Sequence, residues 1–211
     1  MKKTLHLAFL AFFVCMMISQ ADAQLPTVAT DVSPLLVLEV IPDAMLVDTA
    51  GNSVSLYSIT QEKPTIIVFY RGAWCGNCIT NFKDEYVPNL AEIERLGFNI
   101  VAISPDAPAS LLEASEGSGM DPRYFFGDGT GAFTKAMGLA FQQQERSRER
   151  LLEYSGGLNT ELYLSVPAVY IVDTNNTILF THIVPTGVRY TSRMKWGLLQ
   201  PVLHSLKLYS L

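Results

Sequence analysis

Six consecutive apolar or β-branched residues, Thr65-Ile66-Ile67-Val68-Phe69-Tyr70, lie just upstream of Cys75-Gly76-Asn77-Cys78. An unalternating run of that kind is a strand buried on both faces, so layers must cover it above and below. From Cys75 the apolar period becomes helical, with Ile79, Phe82, Tyr86, Ile93 and Leu96 on one side. A buried strand feeding a helix that opens on two cysteines restricts the chain to α/β folds with a cysteine pair at the strand–helix junction.

The remaining segments extend this pattern. Ala44–Leu56 reads as a β-hairpin, with Met45–Val47 and Val54–Leu56 flanking the turn-rich Thr49–Asn52. Pro88 predicts a kink in the helix after Cys75, because proline removes a backbone donor, and Gly97 predicts its end. Phe98–Ser104 is a second buried strand, followed by a helix over Ala107–Glu116, a short strand Tyr124–Phe126 and a helix over Thr130–Leu139. Residues 140–165 read as a surface insertion, with a solvated helix over Gln142–Glu153. Strands Val169–Val172 and Thr177–Val184 pair across Asn175-Asn176. A last helix, Ser192–Leu206, places Trp196, Leu199, Leu203 and Leu206 on one face. This order predicts a mixed central sheet with helices on both faces and an N-terminal hairpin.

Residues 1–23 have the form of a signal peptide. Lys2 and Lys3 precede an apolar run, and Ala21-Asp22-Ala23 offers a small–x–small cleavage site. The run is shorter than the ~20 residues a membrane-spanning helix needs. The expected organisation is a signal peptide (1–23), a lead-in (24–40) and one domain (41–211). The expected location is periplasmic or secreted, with no stable membrane insertion once the leader is removed.

Removing the leader takes Cys15 with it and leaves only Cys75 and Cys78 of three cysteines. The net charge moves from −5 to −6, and no Lys/Arg run exists to track a phosphate backbone, so nucleic acid is not an expected partner. An exported chain meets oxidising conditions. A disulfide closing so small a loop adds little chain-entropy stabilisation, so chemistry explains the pair better than stapling. Cys75 at the helix start would sit near unpaired N–H groups that favour thiolate. Cys78, one turn on, could attack a mixed disulfide formed at Cys75. Trp74 and Gly76 would leave the first sulfur a flat, accessible approach, and Arg71 would add positive potential. A zinc half-site would need two more ligands, and the mature chain offers only His182 and His204 as imidazoles. No metal or organic cofactor is implied.

Phe69-Tyr70-Arg71-Gly72-Ala73-Trp74-Cys75-Gly76-Asn77-Cys78 resembles the peroxiredoxin-like branch of the alkyl hydroperoxide reductase/thiol-specific antioxidant (AhpC/TSA) family. So do Val101–Asp106, Pro167–Asp173 and Tyr190–Arg193, and the likeness runs over about residues 40–206. The resemblance implies a thioredoxin-like fold and thiol redox chemistry. It also implies a cis bond before Pro167, with that residue facing the cysteines and offering a backbone edge to the substrate.

The chain departs from that family's peroxidases. Where they carry a Thr or Ser three residues before the reactive cysteine and a Pro seven before it, this chain has Gly72 and Val68. Their arginine six residues before the aspartate that ends the later strand corresponds to Pro167. Such donors orient and polarise peroxide, so their absence points away from fast peroxide reduction. The buried acid of thioredoxins, six residues before the first cysteine, is Phe69 here, so proton transfer to Cys78 needs another group or water.

The leading expectation is an exported thiol–disulfide oxidoreductase with Cys75 and Cys78 catalytic and Trp74, Pro167 and Arg71 shaping the substrate groove. Its partner would be a protein thiol or disulfide, or a small thiol. A second reading is a thiol-dependent peroxidase, with peroxide as substrate and Cys78 condensing onto a Cys75 sulfenic acid. A third is a binding module with a structural disulfide.

Overall fold

The computed structural model describes residues 24–184. The leader with Cys15, the Tyr190–Arg193 segment and the predicted helix Ser192–Leu206 lie outside the described residues.

Strands β1 (Met45–Val47) and β2 (Ser53–Ser55) form the predicted hairpin. Helix α1 (Leu56–Thr60) follows directly and is absent from the sequence reading. Its five residues are too few for a period. Asp43 supplies the cap from outside the helix, accepting the Tyr57 N–H at 3.0 Å and the Ser55 hydroxyl.

The buried run is β3 (Thr65–Phe69), with every residue inaccessible. Helix α2 (Gly76–Asn81) passes into a π-helical turn at Phe82–Tyr86 and a 3-10 turn at Val87–Asn89 before α3 (Leu90–Arg95). This is the predicted break at Pro88, spread over two irregular turns. Gly97, at φ +84°, then reverses the chain into β4 (Asn99–Ser104).

Helix α4 (Pro108–Ser118), β5 (Phe125–Gly127) and α5 (Ala132–Ala136) come next. Residues 140–165 then comprise β6 (Ala140–Gln142), α6 (Arg148–Tyr154) and β7 (Tyr163–Ser165). β6 and β7 form a small antiparallel sheet. This segment is more than a surface excursion: Phe141, Leu151, Leu162, Tyr163 and Leu164 are all buried. The Tyr163 hydroxyl donates to the Asp128 carbonyl, fastening the segment to the body. Its charged composition hid five apolar anchors. β8 (Ala168–Val172) and β9 (Ile178–Ile183) close the described fold.

Among the described residues, seven strands form one mixed sheet in the order β2-β1-β5-β4-β3-β8-β9. β3 lies between parallel β4 and antiparallel β8. Its side chains alternate between two cores. Ile66, Val68 and Tyr70 pack under α2–α4 with Cys75, Cys78, Phe82, Ile93 and Leu111. Ile67 and Phe69 pack on the other face with Leu56, Phe133, Leu151 and Tyr170. Each large side chain buried there contributes roughly 1.5–3 kcal/mol, so the double-sided packing fixes where β3 ends. The cysteine loop leaves from that end, held between two cores.

Candidate active site

The loop Tyr70–Trp74 turns the chain from β3 into α2. The Tyr70 N–H still donates to the Ile103 carbonyl at 3.0 Å, and the Cys75 N–H closes a turn onto the Gly72 carbonyl at 3.0 Å. Cys75 occupies the N-cap of α2, and its Sγ accepts the Cys78 N–H at 3.3 Å. Arg71 brings Nη2 to 3.3 Å from the same sulfur. Both donors favour negative charge on Cys75 over Cys78.

Cys75 and Cys78 are joined as a disulfide, with Cα atoms 5.2 Å apart. The expected open approach to Cys75 is only partly present. The residue is 3% exposed and sits in the core beneath α2, while Gly76 and Asn77 beside it are exposed. A Cβ on Gly76 would meet nothing within 4 Å, so that side of the loop is open.

Trp74 is half-buried and packs against both cores. Its indole has two guanidinium neighbours: Arg71 at 5.6 Å and Arg150 at 5.1 Å from the ring centroid. Arg150 comes from α6, inside the segment that the sequence presents as a plain solvated helix.

Pro167 differs from expectation. No peptide bond among the described residues is cis, so Val166–Pro167 is trans. The trans form is intrinsically favoured by ~0.5–1 kcal/mol, and the flanking backbone is fully engaged in that conformation. The Val166 N–H donates to Leu139, and the Pro167 carbonyl accepts from Val184, both at 2.9 Å. Pro167 is buried and opens β8, where its missing N–H leaves no ladder bond unmade. Since Ala168 pairs with Phe69, Pro167 stands at the sheet end from which the cysteine loop departs. Its carbonyl is not a free edge for a substrate.

Asp106 is the group that sequence reasoning missed. It is 2% exposed, beyond the end of β4, and its Oδ2 accepts the Ala73 N–H at 2.8 Å. The Tyr70 hydroxyl lies 3.5 Å from the same oxygen. A Cβ on Gly72 would stand 2.8 Å from Asp106 Oδ1 and 2.8 Å from Trp74 Nε1. The carboxyl therefore fills the space beneath Gly72 and Ala73, whereas Phe69, at the position of the thioredoxins' acid, faces the other core. The parallel pairing of β3 with β4 was the available signal, because it carries Asp106 alongside Gly72 and Ala73.

Burial lifts the Asp106 carboxyl to about 7, against the opposing pull of its bonds from Ala73, Ser104 and Tyr70; Glu113 adds to the rise. An unfolded aspartate titrates near 3.9, so between roughly pH 4 and 7 the folded chain keeps a proton that the unfolded chain has lost. The stabilisation from this group is complete below that window and is lost as pH rises through it, by on the order of 4 kcal/mol. Denaturant melts from pH 4.5 to 7.5 should show this fall in the parent and not in Asp106→Asn. A constant difference between the two proteins across that range would mean that the carboxyl is already ionised.

The Redoxin family model matches residues 37–194. A thioredoxin-like protein of Haemophilus influenzae is 34% identical over 70 residues, covering 33% of this chain and 38% of that protein. The chain thus spans well under half the length of that relative. Among solved structures, peroxidoxin BcpB of Mycobacterium tuberculosis superposes with a TM-score of 0.61 at 16% identity, over 82% of this chain and 96% of the other. Peroxiredoxin 6 of Arenicola marina gives 0.63 at 17% identity, over 83% and 75%. At these identities the structures share the fold.

Proposed function

The chain belongs to the Redoxin family of thiol-based oxidoreductases, and on that premise we propose that it is an exported thiol–disulfide oxidoreductase working through Cys75 and Cys78. The observation that carries this reading is the closed space at Gly72. Asp106 and Trp74 stand within 3.0 Å of where a Cβ at position 72 would lie, so they leave no room there for the side chain of a threonine or serine. Disulfide exchange needs no such hydroxyl. It needs a stabilised thiolate and a second thiol within reach, and the pair linked across the first turn of α2 supplies both.

The exchange proceeds in two steps. The Cys75 thiolate attacks one sulfur of a substrate disulfide; a bond forms at Cys75 Sγ, the substrate S–S bond breaks, and one substrate thiolate departs. The Cys78 thiolate then attacks Cys75 Sγ, closing the internal disulfide and releasing the second substrate thiolate. Two electrons pass from the pair to the substrate, and the protons lost by the two cysteines end on the two substrate thiols or in solvent. Run backwards, the same steps oxidise a substrate dithiol. Arg71 and the Cys78 N–H, which contact Cys75 Sγ in the disulfide, would stabilise charge on that sulfur once the pair is reduced. Trp74 and Arg71 border the approach, with Pro167 behind them at the sheet end.

A second reading, peroxide reduction, draws support from Arg71. Its guanidinium beside Cys75 could polarise a peroxide in place of the missing hydroxyl.

One preparation tests both the compartment and the roles. Protein from the exported fraction, reduced and then alkylated briefly near neutral pH, should begin at or near Gln24 by mass spectrometry and carry the label first on Cys75. An intact leader on exported material would contradict cleavage, and faster labelling of Cys78 would reverse the roles.

A further inference from the structure

We propose that Arg150 and Arg71 form a cationic rim around Trp74 that selects, for the same cysteine site, disulfides and thiols carrying carboxylates close to the sulfur. The inference rests on the assignment of Cys75 as nucleophile and adds the charge of its substrate. Both guanidinium groups lie within 6 Å of one ring centroid, so their charges stand no more than about 11 Å apart. One of them also touches Cys75 Sγ. On this proposal an anionic group entering beside that sulfur meets Arg71 at the sulfur and feels the charge of Arg150 from the far side of the Trp74 contact.

Arg150 is available for this role. It is exposed, and no salt bridge among the described residues involves it. Its neighbour on α6, Arg148, is instead tied to Glu145. Buried Leu151 and the Ala107 N–H, which donates to the Tyr154 carbonyl at 2.7 Å, fix α6 against the body, so Arg150 is presented from an anchored element. Each cation–π contact is worth only ~0.5–1 kcal/mol at an exposed site. Two like charges gathered at one ring repel modestly, and an anion between them gains from both. This arrangement also gives residues 140–165 a use: they carry a charge to the rim of a site that would otherwise hold Arg71 alone.

The test uses three alkyl disulfides of different charge: dithiodipropionate (anionic), 2-hydroxyethyl disulfide (neutral) and cystamine (cationic). Each rate with the reduced full-length chain is divided by its rate with free dithiothreitol, at low and at high salt. The expected order is anionic, neutral, cationic, compressed by salt. Arg150→Ala should lower the anionic-to-neutral ratio about three- to tenfold, corresponding to one lost surface charge contact. Arg150→Glu should reverse the order, and Arg148→Ala should leave the ratio where it was. A cystine peptide flanked by glutamates separates the two sources of such carboxylates: preference for it over dithiodipropionate assigns a protein chain, the converse a small thiol. An unchanged ratio in Arg150→Ala, or no charge order in the parent, overturns the rim. Failure of all three disulfides to exceed the free-dithiol rate would instead overturn the cysteine assignment, so the two failures are distinguishable.

Discussion

Gly72→Ala should cost about 2–4 kcal/mol, a fall in Tm on the order of 5–15 °C, although it adds a single methyl group. Gly72 has φ +134°, a backbone region that L side chains rarely adopt. That strain alone accounts for ~1–3 kcal/mol. The new Cβ would also stand 2.8 Å from Asp106 Oδ1 and 2.8 Å from Trp74 Nε1. Neither neighbour yields freely. Asp106 is held by the Ala73 N–H, and Trp74 is wedged between two cores. Relief would break the bond that pins Ala73, two residues before Cys75, so disulfide exchange should fall together with stability. Gly72→Thr should be worse on both counts and should not gain peroxide activity, since the hydroxyl has no space to occupy. Thermal and urea melts decide the matter: an alanine variant within about 0.5 kcal/mol of the parent would show that the space at Gly72 is not closed.

The parts of the fold that sequence revealed are those with a local physical signature. The Thr65–Tyr70 run could only be a strand covered on both sides, and β3 is buried at every position. Pro88 had to interrupt its helix, and the π and 3-10 turns stand there. Residues whose state is set by distant neighbours were not legible. α1 depends on Asp43, which lies outside it. Arg150 reads as one charge in a polar helix until the fold brings it to Trp74. Asp106 reads as a loop aspartate after a strand; its burial comes from pairing β4 beside β3. At Pro167 the resemblance implied a cis bond, while the bonds of Val166 and Pro167 to Leu139 and Val184 accompany a trans one. The cysteine pair itself was plain, because its spacing and its place after a buried strand are both local.

The proposed function requires that Cys75 and Cys78 exchange disulfides quickly and reduce peroxide slowly. Removing one well-placed charge-stabilising donor typically costs about 10²–10³ in rate, and the peroxidase hydroxyl and arginine positions are Gly72 and Pro167 here. The direct measurement is a pair of stopped-flow rate constants on the same reduced protein, one with 2-hydroxyethyl disulfide and one with hydrogen peroxide. The expected result is a disulfide rate about two orders of magnitude or more above free dithiothreitol and a peroxide rate within roughly tenfold of a simple thiolate. A peroxide rate orders of magnitude above a simple thiolate, with disulfide exchange at the free-dithiol rate, would contradict it and would assign the missing donor to Arg71.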